Sequence, residues 1–420
     1  MRIHNLEIIE RDNDLQIRSL VEYKEKAQYL WYAVDKRCKQ YITTEKMDAF
    51  VVGLLLMAMR HKEDMEIDGP ISEKLYHNLN NGYMHILREV IPSLHIVNIL
   101  PKSLDGGKSY HCLDGVGTGF SGGVDSFCTI VDYLINNKLA NYRITHLLFT
   151  NVGSHGEWDE AKARNLFNQR YDMLKPIAQE MGLEFIKVDS NLSEILQFDF
   201  LQSHSTRNLS TVLLFQKLFS KYYYSGGARY KDLFIGPSHD IAYSEPATVL
   251  LLSTETLECI SVGSQYSRVE KTMKVSELES SYRWLNVCWW PVTKATNCSV
   301  CPKCCRTLLT LEIIGKLEKY KSVFNLDKYR KVRNSYVRYV LRNKNNPFHR
   351  EMLEYAKKVE FRFSFANVFL AYVSRFFFPL PLEQGLRKML PNSAKQRIRF
   401  AIKKAGIGRC LFRDFLGRHS

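Results

Sequence analysis

The sequence predicts an α/β protein: a parallel sheet with helices on both faces. Three observations carry that expectation. From Gly115 onward, apolar strand-like runs alternate with periodic helix-like ones. Residues 144–150 (Ile-Thr-His-Leu-Leu-Phe-Thr) are nearly continuously apolar, as a strand buried on both faces requires. A glycine-containing turn, Ser121-Gly122-Gly123-Val124-Asp125-Ser126, separates a β-prone run over 113–120 from an apolar-periodic run over 127–135. A turn so placed falls beyond the carboxyl end of its strand, where open α/β sheets bind ligands.

Taken in order, residues 1–110 read as an N-terminal α+β extension. Leu6–Glu10 and Leu15–Arg18 form short strands around a polar turn, and 48–59 is a strongly apolar, buried helix. Asp68-Gly69-Pro70 reads as a turn, and Ser72 as the N-cap of a helix carrying Leu75 and Leu79. Nothing here bears chemistry, so the segment reads as structural or dimerising. Residues 111–315 hold the ligand-binding α/β domain. After the first βα unit come a helix over 159–182 stopped by Gly182, a strand over 183–188, a helix over 210–222 and a strand over 232–236. Residues 257–262 suggest a hairpin. Residues 316–420 form a basic, helical C-terminal region.

The chain has 420 residues, with 59 Lys and Arg against 44 Asp and Glu, a formal net charge of +15. That excess favours anionic partners: nucleotide, nucleic acid or a lipid surface. The first residues lack an apolar run of signal-peptide length. The expected location is therefore cytoplasmic, or peripheral to a membrane, with the ten cysteines reduced.

The loop chemistry is specific. Gly122 and Gly123 let backbone N–H groups converge on an anion, and the following helix adds its dipole. Ser121 and Ser126 supply hydroxyls, and Asp125 a carboxylate suited to Mg²⁺ beside phosphate oxygens. No Lys-Ser/Thr closes the loop, so it is not a Walker A motif. Thr150 and Asn151, ending the next strand, would meet adenine or ribose. Arg207-Asn208 would bring a guanidinium to phosphate, although a lone Arg207 or Lys271 is ordinarily a solvated surface cation. His239 reads equally as a structural histidine or a site residue.

Five cysteines fall within 18 positions: Cys288, Cys298, Cys301, Cys304 and Cys305. Zinc takes four thiolates tetrahedrally, and two Cys-x₂-Cys steps sharing Cys301 supply three of them from one turn. Cys288 is the natural fourth ligand and Cys305 the spare one. Cys128 reads as a small core residue.

The Ser-Gly-Gly-Val-Asp-Ser loop resembles the signature of the PP-loop ATP pyrophosphatases, whose fold is the adenine-nucleotide α-hydrolase (HUP-like) sheet. With Arg207-Asn208, Gly236, Asp240 and Tyr243, the chain looks like the 7-cyano-7-deazaguanine synthases in particular, over residues 113–312. The resemblance implies ATP, Mg²⁺ and Zn²⁺, with Lys271 as the phosphate-contacting lysine and Cys288, Cys298, Cys301 and Cys304 as zinc ligands. It implies a C–N bond-forming ligase. A carboxylate or carbonyl oxygen attacks the α-phosphorus of ATP, pyrophosphate leaves, and ammonia or another nucleophile displaces AMP. Asp125, Lys271, Arg207 and Asp240 would carry this chemistry. Where those synthases continue Pro-Asp-Cys-Arg, this chain reads Ser244-Glu245-Pro246-Ala247. That departure argues against the deazaguanine acid as substrate while leaving the ATP chemistry in place. A small-molecule, glycan or peptide acid remains open, and a homodimer is compatible. The alternatives are a tRNA base-thiolating enzyme of the same class and a non-catalytic nucleotide-binding zinc or membrane adaptor.

Residues 347–420 hold 15 Lys and Arg against 5 Asp and Glu. Their longest uncharged stretch, 363–374, spans 12 residues, too short to cross a bilayer. Three roles fit: a helical cap on the cysteine knuckle, an anionic membrane anchor, or an RNA grip.

Overall fold

A computed structural model describes residues 1–11, 13–107, 110, 112–156, 160–288 and 295–377. The chain divides into two compact units: residues 1–265 with 293–295, and residues 266–292 with 296–420.

The first unit is built on one ten-stranded sheet. Its strands, in chain order, are β1 (Arg2–Glu10), β2 (Asp14–Tyr23), β3 (Lys26–Asp35), β4 (Met65–Ser72), β5 (Ile99–Asp105), β6 (Gly115–Gly119), β7 (His146–Asn151), β8 (Glu184–Ser190), β9 (Phe219–Ser225) and β10 (Glu258–Val262). They lie side by side as β10-β9-β6-β7-β8-β3-β2-β1-β4-β5. Most neighbouring pairs are parallel; β1–β2, β2–β3 and β3–β8 are antiparallel. The α/β expectation holds, with the sheet mixed rather than wholly parallel.

Among β6 to β10, chain order runs outward from β6 through β7 to β8, then returns to the other side of β6 with β9 and β10. The reversal falls between β6 and β9. Parallel strands there need crossovers over the faces, and a ligand crevice opens where the crossovers diverge.

Residues 1–107 are not a separate extension. They share the sheet through β3–β8 pairing, Tyr32 opposite Ser190 and Val34 opposite Val188. Helix Asp48–His61, buried over nearly its whole surface, joins the same core as Leu209, Val212 and Phe215. The Tyr32 hydroxyl donates to Ser210 Oγ (3.1 Å). A Cβ on Gly53 would come within 2.6 Å of that hydroxyl, so only glycine fits where the helix crosses β3. Tyr83 OH lies 2.7 Å from Thr206 Oγ1, a second tie from the N-terminal residues to helix His204–Val212.

Four local expectations require correction. The run over 210–222 is not one helix: the helix spans His204–Val212, a 3₁₀ turn follows, and Phe219–Ser225 is strand β9. Three consecutive tyrosines, Tyr222 to Tyr224, favour the pleated backbone, and the sheet claims them. Residues 232–236 form no strand; a 3₁₀ turn, Tyr230–Asp232, leads into a loop exposing Leu233, Phe234 and Ile235. Residues 257–262 give a single strand parallel to β9, not a hairpin. Asp68-Gly69-Pro70 lies within β4, at an irregularity in its pairing with β5.

The second unit contains helices Arg268–Val275, Pro302–Ile313, Leu326–Arg342, Pro347–Lys358 and Phe365–Phe377 together with the cysteine cluster. Among the described residues no helix is long and apolar enough to cross a membrane.

Candidate functional site

The glycine loop leaves β6 at the point where strand order reverses. Phe120 N–H donates to Leu148 O (2.8 Å), fixing the loop's start against β7. Gly122 has φ +71°, a left-handed conformation natural to glycine that turns the chain sharply into the helix. Gly123 is the N-cap of helix Val124–Ile130, which runs on through a π turn, Val131–Ile135. The helical ladder opens with Phe127 N–H on Gly123 O (3.0 Å), so the amides of 124–126 precede it. Ser126 is buried, and its hydroxyl donates back to Gly123 O (3.0 Å). Ser121 is exposed and Asp125 half-buried in the helix's first turn. Thr129 Oγ1 lies 2.8 Å from Ser225 Oγ, binding this helix to the end of β9 across the reversal.

Beyond β7 and β9 lies a polar network whose centre the sequence did not reveal. Thr150 donates to Asn208 Oδ1 (3.0 Å), and Asn208 Nδ2 donates to the Tyr224 hydroxyl (3.5 Å). That hydroxyl is 2.8 Å from His204 Nδ1. His204 Nδ1 is also 3.2 Å from Glu245 Oε1, and its Nε2 is 3.4 Å from Asp240 Oδ1. Burial alone would lower the His204 pKa. The Glu245 carboxylate, together with the Asp240 hydrogen bond, outweighs it and raises the value to about 9. An imidazolium is thus held between two carboxylates, one buried and one partly exposed. Glu245 lies within the Ser244-Glu245-Pro246-Ala247 departure, and that break in the motif was the available signal.

The remaining expected residues take varied positions. Asn151 donates to Asp189 Oδ1 (2.7 Å), and Asp189 also accepts from Arg164 (3.1 Å), so Asn151 is engaged within the fold. Asp240 caps the 3₁₀ turn Ile241–Tyr243 through Ala242 N–H (3.0 Å). Gly236 is buried in a loop rather than at a strand end, and His239 is exposed. Arg207 does not offer its guanidinium to a surface. It is fully buried, donating to Val152 O (3.0 Å), Ser193 Oγ (3.0 Å) and Phe198 O. Three acceptors on the segments after β7 and β8 consume this fork, which makes Arg207 an internal clamp. Lys271 is buried on helix Arg268–Val275, in the other compact unit from the loop.

The cysteine cluster assembles in the second unit. The sulfurs of Cys288, Cys298, Cys301 and Cys304 all lie within 4.8 Å of one another, with Cys288–Cys301 and Cys298–Cys304 each at 3.9 Å. Four thiolates on one zinc at tetrahedral geometry stand about 3.8 Å apart. The donor set therefore fits a metal ion such as zinc. Cys301 N–H donates to Cys298 Sγ (3.2 Å) and Cys304 N–H to Cys301 Sγ (3.4 Å), softening the sulfur charge. Cys301 is also the N-cap of helix Pro302–Ile313. Asn297 supplies the tie to the distant fourth ligand: it accepts from Val287 N–H (2.9 Å) and donates to Leu285 O (2.8 Å). Cys305, buried and next in the helix, is not one of the four.

No family model, curated protein or solved structure matches this chain.

Proposed function

We propose that this chain is an ATP-dependent, adenylating ligase of the PP-loop class on a HUP-like sheet, forming AMP and pyrophosphate. The observation that carries the reading is the Ser121–Ser126 loop at the carboxyl end of β6, beside the reversal between β6 and β9. A triphosphate bound there meets the loop amides and the positive end of the helix, with Mg²⁺ taken by Asp125. These groups stabilise charge that builds on the departing pyrophosphate when a substrate oxygen attacks the α-phosphorus. Thr150 and Tyr224, at the carboxyl ends of β7 and β9, with Asn208, His204, Asp240 and Glu245 bonded to them or to each other, suit the acceptor side. The cysteine cluster, with zinc, serves structure: four protein sulfurs leave no coordination position open.

The thiolation alternative requires an accessible, nucleophilic cysteine. Cys128 and Cys305 are buried, and burial pushes the Cys38 and Cys259 thiols up to about 12. Cys112, partly exposed, is the remaining described thiol outside the cluster, and burial raises its pKa as well.

Titration calorimetry with Mg²⁺-ATP and a coupled pyrophosphate assay test the proposal. Binding with pyrophosphate release in the presence of an acceptor acid supports a ligase. Binding without release for any acid tried points to the non-catalytic adaptor, and no binding ends the reading.

A further inference from the structure

Helix Phe365–Phe377 is assembled inside out for a helix meeting water. Its inward positions include Asn367 and Ala371, exposed by only 3% and 4%. Asn367 donates to Asn334 Oδ1 (2.9 Å) and accepts from Arg338 (3.2 Å), both on helix Leu326–Arg342. The polar side chain is thus the one that faces the protein. Phe365, Val368, Phe369 and Tyr372, at i, i+3, i+4 and i+7, form the opposite stripe. Their exposures are 83%, 46%, 53% and 72%. Phe365 and Phe369 stack on each other, ring centroids 6.1 Å apart.

Charge brackets this stripe. Lys357, Lys358 and Arg362 precede it and are exposed. Residues 378–420, which follow it, contain 10 Lys and Arg against 2 Asp and Glu. No charge falls between 363 and 374. From this arrangement we infer that helix Phe365–Phe377 is an in-plane anchor for an anionic lipid surface. Its apolar stripe enters the headgroup boundary, and the flanking cations meet lipid phosphates. RNA would call for cations among the aromatics, and the stripe has none. A second copy would bring two basic segments together against their mutual repulsion.

The test uses the full chain and vesicles of phosphatidylcholine with about 30% phosphatidylserine. The wild type should sediment with these vesicles, less so in high salt, and not with pure phosphatidylcholine. Phe365→Glu/Phe369→Glu should weaken that binding by about tenfold or more, since both rings leave the interface. Both positions are exposed, so an unchanged unfolding midpoint verifies the fold. The inference is overturned if the wild type ignores anionic vesicles or if the double variant binds as well. It is equally overturned if the variant instead abolishes a dimer seen by light scattering, or an RNA gel shift, without lipid binding.

Discussion

His204 Nδ1 stands 3.2 Å from Glu245 Oε1, with the histidine largely buried and the glutamate 1% exposed. The pair joins helix His204–Val212 to the chain after Asp240, and it links folding to pH. The folded protein holds the His204 pKa near 9 against an ordinary 6.5. Folding therefore favours the protonated form. The stabilisation is complete below pH 6.5 and fades as pH rises through 9. Thermal unfolding across pH 6 to 10 should show this decline. Glu245→Gln should shrink it, leaving Asp240's share, and cost about 3–5 kcal/mol at neutral pH, because His204 loses its buried partner.

Asp125 is the residue on which the proposed chemistry depends. Asp125→Ala should lower pyrophosphate release by about a thousandfold while the circular dichroism spectrum stays unchanged. Activity within a few fold of wild type would remove Asp125 from the site.

Arg207 makes a contrasting case. Its buried fork serves the carbonyls of Val152 and Phe198, so Arg207→Ala should cost about 2–5 kcal/mol in chemical denaturation. Lys at this position cannot restore a planar fork and should recover little of the loss. Unchanged stability with weakened ATP binding would return Arg207 to the phosphates.

For the cysteine cluster, elemental analysis should find stoichiometric zinc in the wild type. Cys301→Ser should lose the metal and sensitise residues 266–377 to protease, whereas Cys305→Ser should keep it. Strong chelation of the wild type should reproduce the Cys301→Ser behaviour.

The cysteine cluster was legible in the sequence because its geometry is local: two Cys-x₂-Cys steps share a sulfur on one turn, and only Cys288 closes over distance. The glycine loop was legible for the same reason, its strand, turn and helix being contiguous. Longer-range outcomes were not. Tyr222–Tyr224 became a strand because β6 and β10 lie on either side of it. The His204 network joins residues that bond across as many as 58 positions, Thr150 with Asn208, and 41 from His204 to Glu245, and no local period marks such a meeting. Arg207 was expected at the phosphates, and its burial against Val152, Ser193 and Phe198 was not legible because those acceptors lie on other segments.

The antiparallel seam between β3 and β8, only Tyr32–Ser190, Ala33–Asp189 and Val34–Val188 in register, has a practical consequence. It occupies what would otherwise be an open strand edge. A fragment beginning at β6 would leave β8 bare along that edge, as a template for strand addition by its neighbours. Such a fragment should aggregate however sound its nucleotide loop is. Trimming the chain for study thus has to begin at its other end.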